Sequence, residues 1–293
     1  MTKLIVPYQR TCRCPSNHVN CMTANEWVKS QIGVWQVYYE KRDIRDKDIH
    51  PAVMPIALAR RVVELFTHKG QLVLDPFNGI GTTLLAAQDL SRNGVGFDIN
   101  EKYCSISKNR LAQAKSSGLS TQIVICDDAK NIFNYLENDT ISLIFSSPPY
   151  ANLLNRRRLN KSRRGDLREN NQYLRVEQYS QDPRDLGTLQ IDEFAQQMKI
   201  IYERLLPLLI SGGHNVINVP DMWWSDGRQG RRIPIHIYVY HAMLEAGYML
   251  RNTIIWDRTN IVNRVGIFGW PSNYITMGTT FEYLLDFWKP PIK

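Results

Sequence analysis

The chain has 293 residues, enough for one large α/β domain or two small ones. Hydrophobic residues make up 43% and charged residues 22%, with 36 Lys and Arg against 28 Asp and Glu, a formal charge of +8. That composition excludes a disordered or collagen-like chain, and the absence of any apolar run near the ~20 residues of a membrane helix excludes a helical membrane protein. The basic balance favours a polyanionic partner, because Lys and Arg that neutralise phosphates release counterions.

Met1 to Tyr8 holds too short an apolar stretch for a signal peptide, so an intracellular, cytoplasmic protein is expected. The five cysteines (Cys12, Cys14, Cys21, Cys104 and Cys126) are an odd number, which argues against a disulfide framework. Residues 1–49 read as a polar amino-terminal extension. Within it, Cys12-Arg-Cys14-Pro-Ser-Asn-His18-Val-Asn-Cys21 offers three thiols and an imidazole, a candidate four-ligand zinc site. The spacing is not a standard pair of knuckles, and reduced, unliganded cysteines are the alternative reading.

Residues 50–293 are regular. Pro55 to Phe66 has apolar residues at helical spacing, with Pro at the start, where its missing N–H costs nothing, and Gly70 as the stop. Gln71–Asp75, Gly94–Asp98, Gln122–Cys126 and Ile141–Phe145 read as buried strands, alternating with helices over Thr82–Leu90 and Glu101–Ser116. After a polar, basic insertion over residues 151–190, a helix (Ile191–Leu209), a strand (Asn215–Val219), a helix (Ile235–Ala246) and two strands (Leu250–Trp256, Phe281–Phe287) follow. This alternation predicts one doubly wound, mostly parallel seven-stranded α/β sheet with right-handed crossovers.

Two constellations carry chemistry. Asp75-Pro-Phe77-Asn-Gly79-Ile-Gly81-Thr82-Thr83 occupies a strand-to-helix turn, where glycines allow a ligand close to the backbone and the helix start offers free N–H groups. Asp98 closes the next strand, where a carboxylate can accept two ribose hydroxyls. A dinucleotide-binding enzyme is the rival, but Leu84 stands where the third glycine of G-x-G-x-x-G belongs. The second is Ser147-Pro148-Pro149-Tyr150, at a strand exit. There the Ser147 hydroxyl and the Pro148 carbonyl can accept from a planar amino group, while Tyr150 offers a stacking face.

Together these segments resemble the amino-methyltransferase family of DNA modification enzymes, which methylate N4 of cytosine or N6 of adenine. Asp75-Pro-Phe-Asn-Gly-Ile-Gly-Thr-Thr is similar to the family's D-P-F-x-G-x-G-T-T loop, and Ser147-Pro-Pro-Tyr150 to its catalytic motif. Trp270-Pro-Ser-Asn-Tyr-Ile275 and the strand from Phe281 resemble its last motif. The resemblance implies a Rossmann-like class I fold with S-adenosyl-L-methionine as cofactor. It assigns cofactor contacts to His50, Pro51, Asp75, Phe77, Gly79, Gly81, Thr82 and Asp98, and to Asp128 or its neighbour Asp127 near the adenine amino group.

Ser before Pro-Pro-Tyr is associated in the family mainly with cytosine N4, and a flipped base would stack on Tyr150. Double-stranded DNA is the implied partner, and a restriction endonuclease a further one. In the insertion, Arg156, Arg157, Arg158, Lys161, Arg163 and Arg164 lie directly after the catalytic motif and are the candidate DNA contacts, a solvated charge run being the alternative. Trp223-Trp224 and Arg228–Arg232 lie on another sheet-end loop, lining the DNA face or filling core.

Overall fold

The computed structural model describes residues 3–4, 6–46, 53–114, 119–153, 182–225, 230–260 and 277–291. The extension carries α1 (Ala24–Ser30), β1 (Val34–Gln36) and α2 (Lys41–Asp46). Then come α3 (Ile56–Phe66), β2 (Leu72–Asp75), α4 (Thr82–Asp89), β3 (Asn93–Asp98), α5 (Glu101–Gln113), β4 (Gln122–Cys126) and β5 (Ile141–Ser146). The second half holds α6 (Ile191–Leu205), β6 (Leu209–Val219), β7 (Met222–Ser225), β8 (Gly230–Ile233), α7 (Ile235–Glu245), β9 (Met249–Asp257) and β10 (Phe281–Trp288).

Eight strands pair in the order β1-β9-β10-β6-β5-β2-β3-β4. All run parallel except β10, which is antiparallel to both of its neighbours. The central strands β2 and β5 are buried at every position, as strands covered by helices on both faces must be. Successive residues of β2 feed opposite layers. Leu72 and Leu74 pack in the core with Phe194, Met198 and Tyr202 of α6, whereas Val73 packs with Val62 and Val63 of α3. The chain winds outward from β2 through β3 to β4, then returns to place β5 on the other side of β2. The carboxyl ends of β2 and β5 therefore flank the topological switch point, where open α/β sheets bind ligands.

The sequence reading needs four corrections. The sheet has eight strands rather than seven, because Val34–Gln36 of the extension adds a parallel edge strand to β9. Only Trp35 of its three residues is buried, so no alternation could betray it. Trp35 donates its indole N–H to the Ile32 carbonyl at 2.6 Å and carries the Arg61 guanidinium 4.3 Å above its ring. Second, α3 stops at Phe66, with Thr67 extended, and Gly70 serves a separate turn at φ +83°. Third, α6 ends at Leu205, near Pro207, and β6 starts at Leu209 through a Gly212-Gly213 pair that conceals its first half. A two-stranded ribbon of β7 and β8 replaces the expected loop around Trp223.

Trp35 tests whether the extension is integral to the sheet. Trp35→Ala should cost about 3–5 kcal/mol in urea unfolding, the usual range for emptying a buried Trp site. A loss below about 1 kcal/mol would make the extension a separable appendage.

Candidate active site

Three hydrogen bonds from backbone N–H groups shape the loop after β2. The Phe77 N–H donates to Asp75 Oδ1 at 3.0 Å, and the Asn78 N–H donates to the Phe97 carbonyl of β3 at 2.8 Å. The Gly79 N–H donates to Asp98 Oδ2 at 2.7 Å. Asp98 Oδ1 accepts from the Asn100 N–H at 2.8 Å, and Asn100 in turn caps α5. Gly81 opens α4 at φ +82°, and a Cβ there would stand 2.2 Å from Ser107 Oγ, so both conformation and space demand glycine.

The result is an open cleft of about 990 Å³, solvent at its mouth included, lined by Asp75, Phe77, Gly79, Thr82 and Asp98 from the predicted cofactor set. Asp127 and Asp128 line it too, but they are spent differently. Asp127 accepts from Asn131 Nδ2 at 2.9 Å and Tyr135 Oη at 2.8 Å. Asp128 gives one oxygen to the Lys130 N–H at 2.9 Å, capping a helical turn over 129–134. Gly81 is absent from the lining, and its role is the turn. His50 and Pro51 lie outside the described residues, although the adjacent Val53 and Met54 reach the wall.

Burial dominates the acids. It pushes the Asp75 carboxyl up to about 7 and Asp98 to about 6, against the N–H groups that donate to each. Two acids sheltered in this way favour a ligand that brings hydrogen-bond donors to them.

The second half of the site hangs from β5. Ser147 and Pro149 line the same cleft, while Pro148 is buried. Tyr150 is only 8% exposed; its ring sits in the core and its hydroxyl lies 2.6 Å from Ser147 Oγ. The expected open stacking face is thus turned inward among the described residues, and what Tyr150 presents to the motif is its hydroxyl. Behind it, Asn218 Nδ2 lies 3.5 Å from both hydroxyls and donates to Glu282 Oε2 at 2.7 Å. Glu282 also pairs with Arg258. Burial raises Glu282, and Arg258 opposes that.

Sequence reasoning missed Asn218, Glu282 and Arg258. Their only signal is polarity at the ends of buried strands, which the fold alone brings together. It also missed the end of the insertion: Arg184, Asp185 and Leu186 line the cofactor side of the cleft. Arg184 is held to Asp182 at 2.6 Å, and Asp185 Oδ1 accepts from the Gly187 N–H at 2.7 Å. Arg156, Arg157, Arg158, Lys161, Arg163, Arg164 and the Trp270–Ile275 motif lie outside the described residues, as does Arg228. For the cysteine cluster the structure substitutes one ligand. Cys12, Cys14 and Cys21 converge on His68, not His18. The His18 N–H instead closes a turn on the Pro15 carbonyl at 3.0 Å.

Against known proteins, the DNA methylase family matches residues 6–109. Over 72 residues the chain is 43% identical to the type II methyltransferase M.HindIII of Haemophilus influenzae, covering 25% of this chain and 23% of that protein. It is 36% identical over 93 residues to M.BglI of Bacillus subtilis, covering 31% and 26%. With M.ScaI of Streptomyces caespitosus it shares 36% identity over 100 residues, covering 32% and 33%. The aligned stretches thus span a quarter to a third of these relatives' length. The matches put residues 6–109 in the DNA methylase family and support the amino-methyltransferase resemblance, without separating cytosine N4 from adenine N6.

The two sheltered acids make a pH test. From about pH 4 up to about 6 for Asp98 and about 7 for Asp75, the folded chain keeps protons that the unfolded chain, with carboxyls near 3.8, has lost. Their contribution is therefore fully present below pH 4 and is lost as the pH rises toward 7. Asp75→Asn should flatten the fall in ligand-free stability between pH 5 and 7.5 by on the order of 2 kcal/mol. Urea titrations with equal slopes in variant and wild type would contradict the buried-acid assignment.

Proposed function

We propose that the protein is an S-adenosylmethionine-dependent DNA methyltransferase that modifies the exocyclic N4 amino group of cytosine in duplex DNA. One observation carries this reading: Ser147, at the end of β5, and Asp98, at the end of β3, face a single cleft across the switch point at β2.

The donor set fits the cofactor. Each oxygen of Asp98 accepts one backbone N–H and keeps a lone pair, suiting two ribose hydroxyls. Asp75 would offer a sheltered acceptor to the cofactor's amino group, and Asp128 a carboxylate acceptor to its adenine amino group. Val53, Met54 and Phe77 provide apolar wall. When bound, S-adenosylmethionine supplies a methyl group activated on a sulfonium.

The rest falls to the chain's own residues. An exocyclic amine is a poor nucleophile because its lone pair is delocalised into the ring. Ser147 Oγ and the Pro148 carbonyl accept its two N–H bonds, which favours a pyramidal nitrogen with its lone pair free. Tyr150 Oη and Asn218 orient the Ser147 hydroxyl for that purpose, and the Asn218–Glu282–Arg258 chain fixes Asn218. Arg156, Arg157, Arg158, Lys161, Arg163 and Arg164 follow the motif closely in sequence and supply phosphate contacts that hold the duplex while the base is flipped out. A cognate restriction endonuclease would give such a modification its purpose.

Ser147→Ala should slow methyl transfer about 100-fold or more while leaving cofactor affinity within about threefold, since its role is at the reacting amine. Mass spectrometry of nucleosides from modified DNA should yield N4-methylcytosine. N6-methyladenine alone would overturn the base, and no methylated base with cofactor and DNA both bound would overturn the activity.

A further inference from the structure

On the amino-end side of the sheet, the arm before α1 folds back on the turn that leads into β2. Gly70 marks the contact: at φ +83° it has no room for a side chain, because a Cβ would lie 2.6 Å from the Gln9 carbonyl oxygen and 2.6 Å from Thr11 Cγ2. The Thr11 N–H donates to the Lys69 carbonyl at 2.8 Å, so the arm lies on residues 69–70 as a seated segment. Flanking that seat are three thiols and an imidazole. We infer that Cys12, Cys14, Cys21 and His68 bind one structural zinc ion that clips the arm to the start of β2.

The geometry suits zinc closely. The four ligand atoms all lie within 4.8 Å of one another. A tetrahedral site with Zn–S near 2.3 Å and Zn–N near 2.0 Å calls for S···N separations of about 3.5 Å and S···S of about 3.8 Å. Cys12 Sγ and Cys21 Sγ lie 3.3 and 3.8 Å from His68 Nδ1, either side of that ideal. The cysteines are unpaired as thiols. Three thiolates and a neutral imidazole fill all four positions, leaving none for water, which makes the site structural rather than catalytic.

The surroundings are those of a metal centre. The Lys69 N–H donates to Cys21 Sγ at 3.4 Å, an outer contact that stabilises a thiolate. His68 is fixed through its backbone, its N–H donating to Gln71 Oε1 at 2.7 Å. Just before it, Thr67 is pinned by the buried Arg92, whose Nη2 donates to the Thr67 carbonyl at 2.7 Å. Three thiolates around a divalent ion leave one net negative charge, and Arg92 feels the charge of all three cysteines. Three ligands come from one short loop, and the fourth stands 47 residues after Cys21, so the ion would cross-link the arm to the cofactor half of the sheet.

The test is elemental analysis of the full chain, purified under reducing conditions without chelator. One zinc per chain is expected. Cys21→Ser and His68→Ala should lose most of it, and His18→Ala should keep it. In case those variants fail to fold, the wild-type chain refilled with cobalt provides a second readout, with sulfur-to-cobalt charge-transfer bands and tetrahedral d–d absorption at one equivalent. A folded wild-type chain that carries no zinc and takes up no cobalt would overturn the site. So would zinc lost in His18→Ala but retained in His68→Ala.

Discussion

The hydrogen bond from the Gly79 N–H to the Asp98 carboxylate holds the site in place. It ties the turn after β2 to the end of β3, and the Asn78 N–H on the Phe97 carbonyl repeats the tie one residue earlier. The loop is thereby stretched across two adjacent strand ends instead of collapsing into the cleft. Asp98 does this while partly open to the cleft, so the same carboxylate that shapes the loop can meet a ligand. Its raised pKa records the cost of keeping it there, sheltered from water with two N–H donors in partial compensation.

From that anchor the remaining geometry follows. The reversal of winding at β2 sets β5 alongside it, and the Ser-Pro-Pro-Tyr turn at the end of β5 then faces the glycine turn from across one strand. Prolines at 148 and 149 donate no N–H to a neighbouring strand and end the ladder, which frees Ser147 to face the cleft. Three further strands brace the motif from behind: β6 through Asn218, β9 through Arg258 and β10 through Glu282. A cofactor side and a reaction side therefore meet in one cleft without sharing a side chain.

The parallel half of the fold was legible because its strands read as short apolar runs flanked by helices, β2 and β5 being buried throughout. Leu72–Asp75, Gln122–Cys126 and Ile141–Ser146 came out within a residue of the expectation. That the glycine turn, Asp98 and Ser147 share one cleft was legible because they stand at strand ends in a set order and spacing. What escaped lacks a local signature. Strand β1 has one buried residue, β6 begins through two glycines, and the Asn218–Glu282–Arg258 chain joins residues 24 to 64 positions apart. Tyr150 shows a subtler limit: a motif gives the residue but not the direction of its ring. His68 is similar, since four ligands close in sequence suggested His18 and the turn at Gly70 supplied the histidine that converges in space.

The central claim is that Asp98 both holds the glycine turn and receives the cofactor's ribose, and calorimetric titration of S-adenosylmethionine into Asp98→Ala tests it most directly. Loss of a charged acceptor should weaken binding by about 1.5–3 kcal/mol, on the order of ten- to 150-fold, with circular dichroism confirming that the variant is folded. Wild-type affinity in a folded Asp98→Ala protein would contradict the claim and remove Asp98 from the binding site.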